Sequence, residues 1–224
     1  MNDFFCEVIS ERIERTAKAL EKNNFQVFTV DTAAEAKKTV QELLKDGNTI
    51  GVGGSETLNE CDILSLVRED RYAFIDRYEA GLTKSEIAKR HVASLGADVY
   101  ITSSNAITEN GELYNVDGNG NRIAAIAFGP KSVIVIAGYN KIVKDLDDAI
   151  RRVKSCAAPA NTKRLSMPTY CQKEGQCLAL AQDKCSMTDG CASEGRICCD
   201  YLVSAYQRRK DRIKVILVKE ILGF

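Results

Sequence analysis

The stretch T-I-G-V-G-G-S-E-T-L (49–58) reads as a short buried strand, Thr49–Val52, running through Gly53-Gly54-Ser55 into the start of a helix. Strand, glycine turn and helix in that order form the unit from which parallel sheets are built. The unit recurs on both sides. Upstream, Phe5, Val8, Ile9, Ile13, Ala17 and Leu20 repeat at helical spacing, and F-Q-V-F-T-V (25–30) alternates as a strand does. Asp31 or Thr32 can cap a helix over Ala33–Lys45, which Gly47 ends. Downstream, the helix after the glycine turn is expected to reach Val67. A strand near Tyr72–Asp76, a helix near Lys84–Leu95 closed by Gly96, and a strand at Asp98–Ser103 follow. Short strands are expected around Glu112–Val116, Arg122–Ala127 and Ser132–Ala137, and a helix over Asp145–Lys154. The expected fold is α/β, a mostly parallel sheet with helices on both faces.

From residue 159 to about 200 the composition turns to Cys, Gly, Ser and Thr with little periodicity, and reads as a loop module inserted in a single 1–224 domain. Tyr201–Tyr206 and Ile213–Lys219 then alternate as strands around a basic turn, and pair as a hairpin in this reading. The 224 residues carry 31 Lys plus Arg against 31 Asp plus Glu, so no overall field recruits nucleic acid or an acidic membrane. No uncharged apolar run approaches the roughly 18 residues that span a bilayer. The opening M-N-D-F-F-C-E-V has no basic region before an apolar run, so a secretory signal is not expected and a cytoplasmic location is.

Three groups of residues carry chemistry. In the glycine turn, Gly53, Gly54, Ser55 and Thr57 could hold an anion through bare amides and hydroxyls, or simply make a tight strand-to-helix turn. The Lys of a P-loop is missing, and Glu56 breaks the dinucleotide fingerprint. In the polar middle, Ser103, Ser104 and Asn105 follow a strand, where open α/β sheets place ligands, and Glu109 offers a carboxylate beside a glycine turn. Asp117–Asn121 reads as plain turn chemistry. His91 is the only histidine, which excludes a His-rich zinc protease or finger.

The third group is six cysteines within 29 residues: Cys171, Cys177, Cys185, Cys191, Cys198 and Cys199. Their clustering calls for a metal, an iron–sulfur site, a disulfide staple or redox chemistry. Reducing cytoplasm disfavours disulfides, and the total of nine cysteines is odd. Lys163 and Arg164 could lower the pKa of nearby thiols.

Taken in order, G-V-G-G-S-E-T-L (51–58), A-D-V-Y-I-T-S-S-N-A-I-T-E-N-G (97–111), I-A-G-Y-N-K-I-V-K-D-L-D-D-A-I-R-R-V (136–153) and A-P-A-N-T-K-R-L (158–165) resemble the lactate-utilisation (LUD) domain family. The resemblance is to bacterial lactate utilisation protein C-like members, in the branch with C-terminal cysteines. It implies the fold shared by ribose-5-phosphate isomerase, glucosamine-6-phosphate deaminase and CoA transferases, with a ligand over the strand ends. Thr108-Glu109-Asn110-Gly111 also resembles the Ser-Glu-Asn-Gly motif of class I CoA transferases, whose Glu is the nucleophile.

In the branch resembled, four cysteines recur. Cys171 and Cys177 match the spacing of the first pair and Cys191 and Cys198 that of the last. Thirteen residues separate the pairs here, more than the branch shows, so Cys185 and Cys199 are alternates. Four thiolates suit an iron–sulfur cluster of the [4Fe–4S] kind, or zinc. The function implied is an accessory subunit of an iron–sulfur oxidoreductase system acting on lactate or another small organic acid, whose partner subunits supply the oxidising site. Two alternatives stand beside it. One is an independent enzyme on a sugar phosphate or acyl-CoA, with Glu109 as base or nucleophile. The other is a zinc-stapled binding protein. Homo-oligomers fit any of these.

Overall fold

The structure, a computed structural model, describes residues 3–224. Helix α1 (Asp3–Lys22) leads into β1 (Gln26–Val30), α2 (Ala33–Leu43) and β2 (Thr49–Val52). Two short helices, α3 (Glu56–Glu60) and α4 (Ile63–Val67), precede β3 (Ala73–Phe74), α5 (Lys84–Ser94) and β4 (Val99–Thr102). Then come β5 (Ala106–Thr108), β6 (Leu113–Asp117), α6 (Asn121–Ala127), β7 (Ser132–Gly138) and β8 (Ile142–Val143). Helices α7 (Leu146–Arg152), α8 (Ala158–Arg164), α9 (Tyr170–Glu174) and α10 (Leu178–Ala181) lead to β9 (Asp200–Ser204) and β10 (Ile213–Val218).

Six strands form a fully parallel sheet in the order β1-β10-β7-β4-β2-β3. Its two faces are sorted by the period-2 alternation of side chains. On β7 and β10, Ile134, Ile136, Ile216 and Val218 face one core, against Ala36 and Val40 of α2 and Ile63, Leu66 and Val67 of α4. Val133, Val135, Val215 and Leu217 face the other, against Ile9, Ile13 and Leu20 of α1. Both faces are covered, so the central strands read as continuous apolar runs. A second sheet, β8-β5-β6-β9, packs beside this one. Tyr114 and Val116 of β6 meet Ile150 and Val153 there, with Cys185, Met187, Cys198 and Tyr201 of the cysteine-rich segment packed against them.

The structure corrects four expectations about elements. The helix expected to reach Val67 is broken at Asp62, whose φ of 51° is left-handed. Residues 122–127 are helical rather than extended. Asp117 Oδ2 accepts from the N–H groups of Arg122 and Ile123 (2.9 and 3.0 Å), satisfying two donors at the start of α6. At the other end, the buried Arg212 guanidinium donates to the carbonyls of Ala125, Ile126 and Pro130.

The last two strands are not a hairpin. β10 is apolar enough to lie between β1 and β7, and β9 pairs antiparallel with β6 in the second sheet. Finally, the chain stays helical past Pro159. A regular helix would place the proline ring against the Ser155 carbonyl. Over Val153–Ala157 the helix widens instead, with the Ala158 N–H bonding the Val153 carbonyl five residues back. No described helix is long and apolar enough to cross a membrane.

Candidate functional site

The carboxyl ends of the parallel strands open onto one cavity of about 300 Å³. Gly54 and Ser55 enter it after β2, Arg77 after β3, Ser103, Ser104 and Asn105 after β4, Lys141 after β7 and Phe224 after β10. Asp117 and Arg122 close one side from the second sheet and α6, and Asn161 and Arg164 close another from α8.

The lining is cationic, and most of its cations are committed. Arg122 pairs with Asp117 (2.7 Å) and donates to Asn105 Oδ1, Asn115 Oδ1 and the carbonyls of Ser103 and Val116. It is the hub that fixes the loop after β4. Arg164 is shared between Asn161 Oδ1 and Glu56 (3.4 Å). Arg77 differs: among the described residues it makes no hydrogen bond or ion pair, and its guanidinium only lies over the Tyr78 ring (5.0 Å). A Cβ on Gly54 would come within 3.3 Å of Arg77 Nη2, so the glycine lets this cation close over the turn. Arg77 is the group best placed to receive a carboxylate or phosphate.

Lys141 is the second basic group of the cavity without an ion-pair partner among the described residues. Its side chain is 3% exposed, and Nζ donates to Thr57 Oγ1 (2.8 Å) and Ser103 Oγ (3.0 Å). No carboxylate pairs with it among the described residues. Burial first, then Arg152 and Arg122, push the amine down to about 7, with Glu60 and Cys61 opposing. Thr57 passes its own hydrogen to the Leu222 carbonyl (3.2 Å).

The expected anion-binding residues therefore divide. Gly54, Ser55, Ser104 and Asn105 line the cavity. Ser55 makes no cap hydrogen bond with its side chain. Ser104 Oγ is used internally, donating to the carbonyls of Ala106 and Tyr114. Thr57 is fully buried behind Lys141. Gly53 lies behind the lining, where a Cβ would come within 2.5 Å of Thr102 Oγ1. Because α3 has only five residues, it supplies no helix-terminus field.

Glu109 requires a correction. It is not among the lining residues and pairs instead with Arg12 of α1 (2.7 Å), with Arg15 at 3.9 Å. Arg77 and Lys141 were not singled out by sequence reasoning, and Arg122 stood out only as a cation after the Asp117–Asn121 turn. The I-A-G-Y-N-K run that follows an apolar strand was the only signal that could have pointed to Lys141.

A second, smaller cavity of about 30 Å³ holds the thiols. Cys171, Cys177, Cys191 and Cys198 all line it, whereas Cys185 and Cys199 do not. The sulfur of Cys171 lies 3.5 Å from Thr162 Oγ1 and 3.4 Å from Thr169 Oγ1. Arg196 ties the segment together, donating to the carbonyls of Thr188, Cys191 and Cys198 and to the Tyr201 hydroxyl. Arg196 and Lys154, rather than the expected Lys163 or Arg164, are the cations that line the thiol cavity.

Burial first, then the thiols of Cys171 and Cys177, push Cys198 up to about 12. Burial also opposes ionisation of Cys191, but Ser193 and Arg196 outweigh it and hold that thiol below its ordinary value. All nine cysteines are free thiols. As they stand, no three His, Cys, Asp or Glu side chains among the described residues are grouped to hold a metal ion. The donor set, four thiols on one enclosed cavity, nevertheless fits a thiolate-ligated metal or cluster, which would have to draw the sulfurs inward.

The two cavities share a wall. Val153, Ala158, Arg196, Ile197 and Cys198 line both. The widened helical turn at 153–157 and the Arg196 anchor form the partition.

Comparison with known proteins gives three findings. The family model for the LUD domain matches residues 13–218. The chain is similar to the crystal structure of a DUF162 family protein from Deinococcus radiodurans, at 16% identity and a TM-score of 0.49, covering 94% of this chain and 98% of that one. No functionally curated protein matches it.

Proposed function

The chain belongs to the LUD-domain family, and from that premise we propose that it handles a small organic acid, lactate or a relative of it, as a component of an iron–sulfur electron-transfer system. The observation that carries this reading is the shared wall. An anion seated in the cationic cavity is separated from the four-cysteine cavity only by Cys198, Arg196 and their neighbours.

In this reading Arg77 receives the carboxylate, and Arg122 holds Ser103 and Asn105 in place around it. Cys171, Cys177, Cys191 and Cys198 would hold the cluster, which when bound supplies one-electron transfer. Arg196 fixes two of those four ligands through their carbonyls. Val153, Ala158 and Ile197 are the apolar part of the partition. Subunits of an oxidoreductase would exchange electrons with this module.

Anaerobic purification of the full chain tests the proposal. The protein is expected to be brown and to carry iron with acid-labile sulfide. Cys171→Ser and Cys198→Ser should each remove most of it, whereas Cys185→Ser and Cys199→Ser should leave it in place. Colourless wild type with one tightly held zinc, lost in the same two variants, would replace the cluster with a zinc staple.

A further inference from the structure

Lys141 has no role in the reading above, yet it is the most deeply buried lysine among the described residues. It sits at the end of β7 on the floor of the larger cavity, 3% exposed, with two hydroxyl partners and no carboxylate among the described residues. An ammonium held this way would carry an uncompensated buried charge with Arg122 and Arg152 as neighbours, which burial disfavours.

A neutral amine fits the same site without that cost. It has two hydrogens and one lone pair. Thr57 Oγ1 and Ser103 Oγ are both placed to accept, since Thr57 gives its own hydrogen to Leu222 and Ser103 has the Ser104 carbonyl at 3.4 Å. With both hydrogens spent on these hydroxyls, the lone pair is left for the remaining direction, and Lys141 lines the cavity.

We propose that Lys141 Nζ is a nucleophile that forms an imine with the carbonyl carbon of a small 2-oxo acid held in this cavity. The amine lone pair forms the N–C bond as the carbonyl π pair moves to oxygen. One proton then passes through solvent from the cationic nitrogen to the alkoxide, giving the neutral carbinolamine. Its hydroxyl takes up a second proton from solvent and leaves as water as the nitrogen lone pair closes the C=N bond to give the iminium. No oxidant or reductant is consumed. Ser103 links the two ends of the site. Its hydroxyl positions Lys141, and its carbonyl accepts from Arg122 Nη1 at 3.1 Å. Arg77 receives the carboxylate. That last element rests on the organic-acid reading above, whereas the nucleophilic amine does not.

The full chain is incubated near pH 7 with pyruvate and cyanoborohydride, digested, and mapped by mass spectrometry. Surface lysines are almost entirely protonated there, so the peptide carrying Lys141 should acquire the reduced adduct at least about tenfold faster than any of them. Propanal, which lacks a carboxylate, serves as the second probe. Arg77→Gln is expected to slow labelling by pyruvate and leave labelling by propanal unchanged. Labelling of Lys141 by propanal but not by pyruvate would support the amine and remove the carboxylate reading. Saturable pyruvate binding by calorimetry, with neither probe labelling Lys141 ahead of the surface lysines, would overturn the imine and leave the organic-acid cavity standing. The mapping is done on wild type, so it does not depend on how a Lys141 variant folds. Lys141→Arg, checked by circular dichroism, should lose the label.

Discussion

Arg122→Met is expected to cost the folded chain about 3–5 kcal/mol, the range for removing one partner of a buried ion pair. It should appear as a lowered urea midpoint with the slope unchanged. Asp117 is more deeply buried than its partner (side chains 7% and 12% exposed), so its carboxylate would be left in a poorly hydrated place. Four further acceptors also lose the bond from Arg122: the carbonyls of Ser103 and Val116, and the amide oxygens of Asn115 and Asn105, the last of which keeps the Val116 N–H (2.9 Å). Arg122→Lys should recover little, because one ammonium cannot reach a set of acceptors spread around a planar fork. The double variant Arg122→Met with Asp117→Asn should lose less than the sum of the two single losses, since the stranded charge is gone. A loss of about 1 kcal/mol or less would mean that the pair behaves as an exposed one, and that Arg122 is not the organiser of the cavity.

The contrast between Arg122 and the glycine turn shows what a linear reading can reach. Residues 49–55 carry their signal locally, in an apolar run that stops at two glycines, and β2 ends at Val52 where that reading puts it. Arg122 follows a turn-forming D-G-N-G, and its neighbours I-A-A-I-A do not distinguish a strand from two helical turns. What decides for helix is the Asp117 carboxylate on its first amides and Arg212 on its last carbonyls, and Arg212 is some 90 residues away.

The cationic cavity was hidden for a related reason. Arg77, Arg122 and Lys141 follow three different elements, and only the strand order brings them together. Insertion of β10 between β1 and β7 is the least local step of all, and the alternation in both final strands suited a hairpin equally well. Glu109 fails as a cavity residue because α1, whose arginines claim it, lies far away in sequence. The thiols were more legible. The match to the spacing of the resembled family branch set Cys171, Cys177, Cys191 and Cys198 apart from Cys185 and Cys199; the four line one cavity and the other two do not.

Gly138→Ala is expected to destabilise the fold by about 1–3 kcal/mol through overpacking, and to slow trapping of Lys141 by about a hundredfold, as a ~1 Å displacement of a reacting group does. The glycine is not there for its backbone angles, since φ −69° and ψ 156° suit any residue. A methyl group, however, would sit 2.4 Å from the Glu220 carbonyl oxygen, 2.5 Å from Asn140 Oδ1 and 2.6 Å from the Leu222 nitrogen. Two of these are backbone atoms, and the third is fixed by its bond from the Leu222 N–H (3.1 Å). Relief therefore requires residues 220–223 to move away from the end of β7.

That movement reaches the amine directly. Leu222 supplies the carbonyl that takes the Thr57 hydrogen, and a Cβ on Gly223 would lie 3.3 Å from Lys141 Nζ. With Leu222 displaced, Thr57 can turn its hydrogen towards the amine and compete for the lone pair. Gly96→Ala is the control, because a Cβ there meets only the Ala93 carbonyl at an ordinary 3.6 Å. It should leave trapping unchanged and alter stability by no more than about 1 kcal/mol, in the favourable direction. If Gly138→Ala lowered stability but left Lys141 as reactive as before, the hydroxyl pair would not be what holds the amine. Lys141 would then owe its reactivity to burial alone.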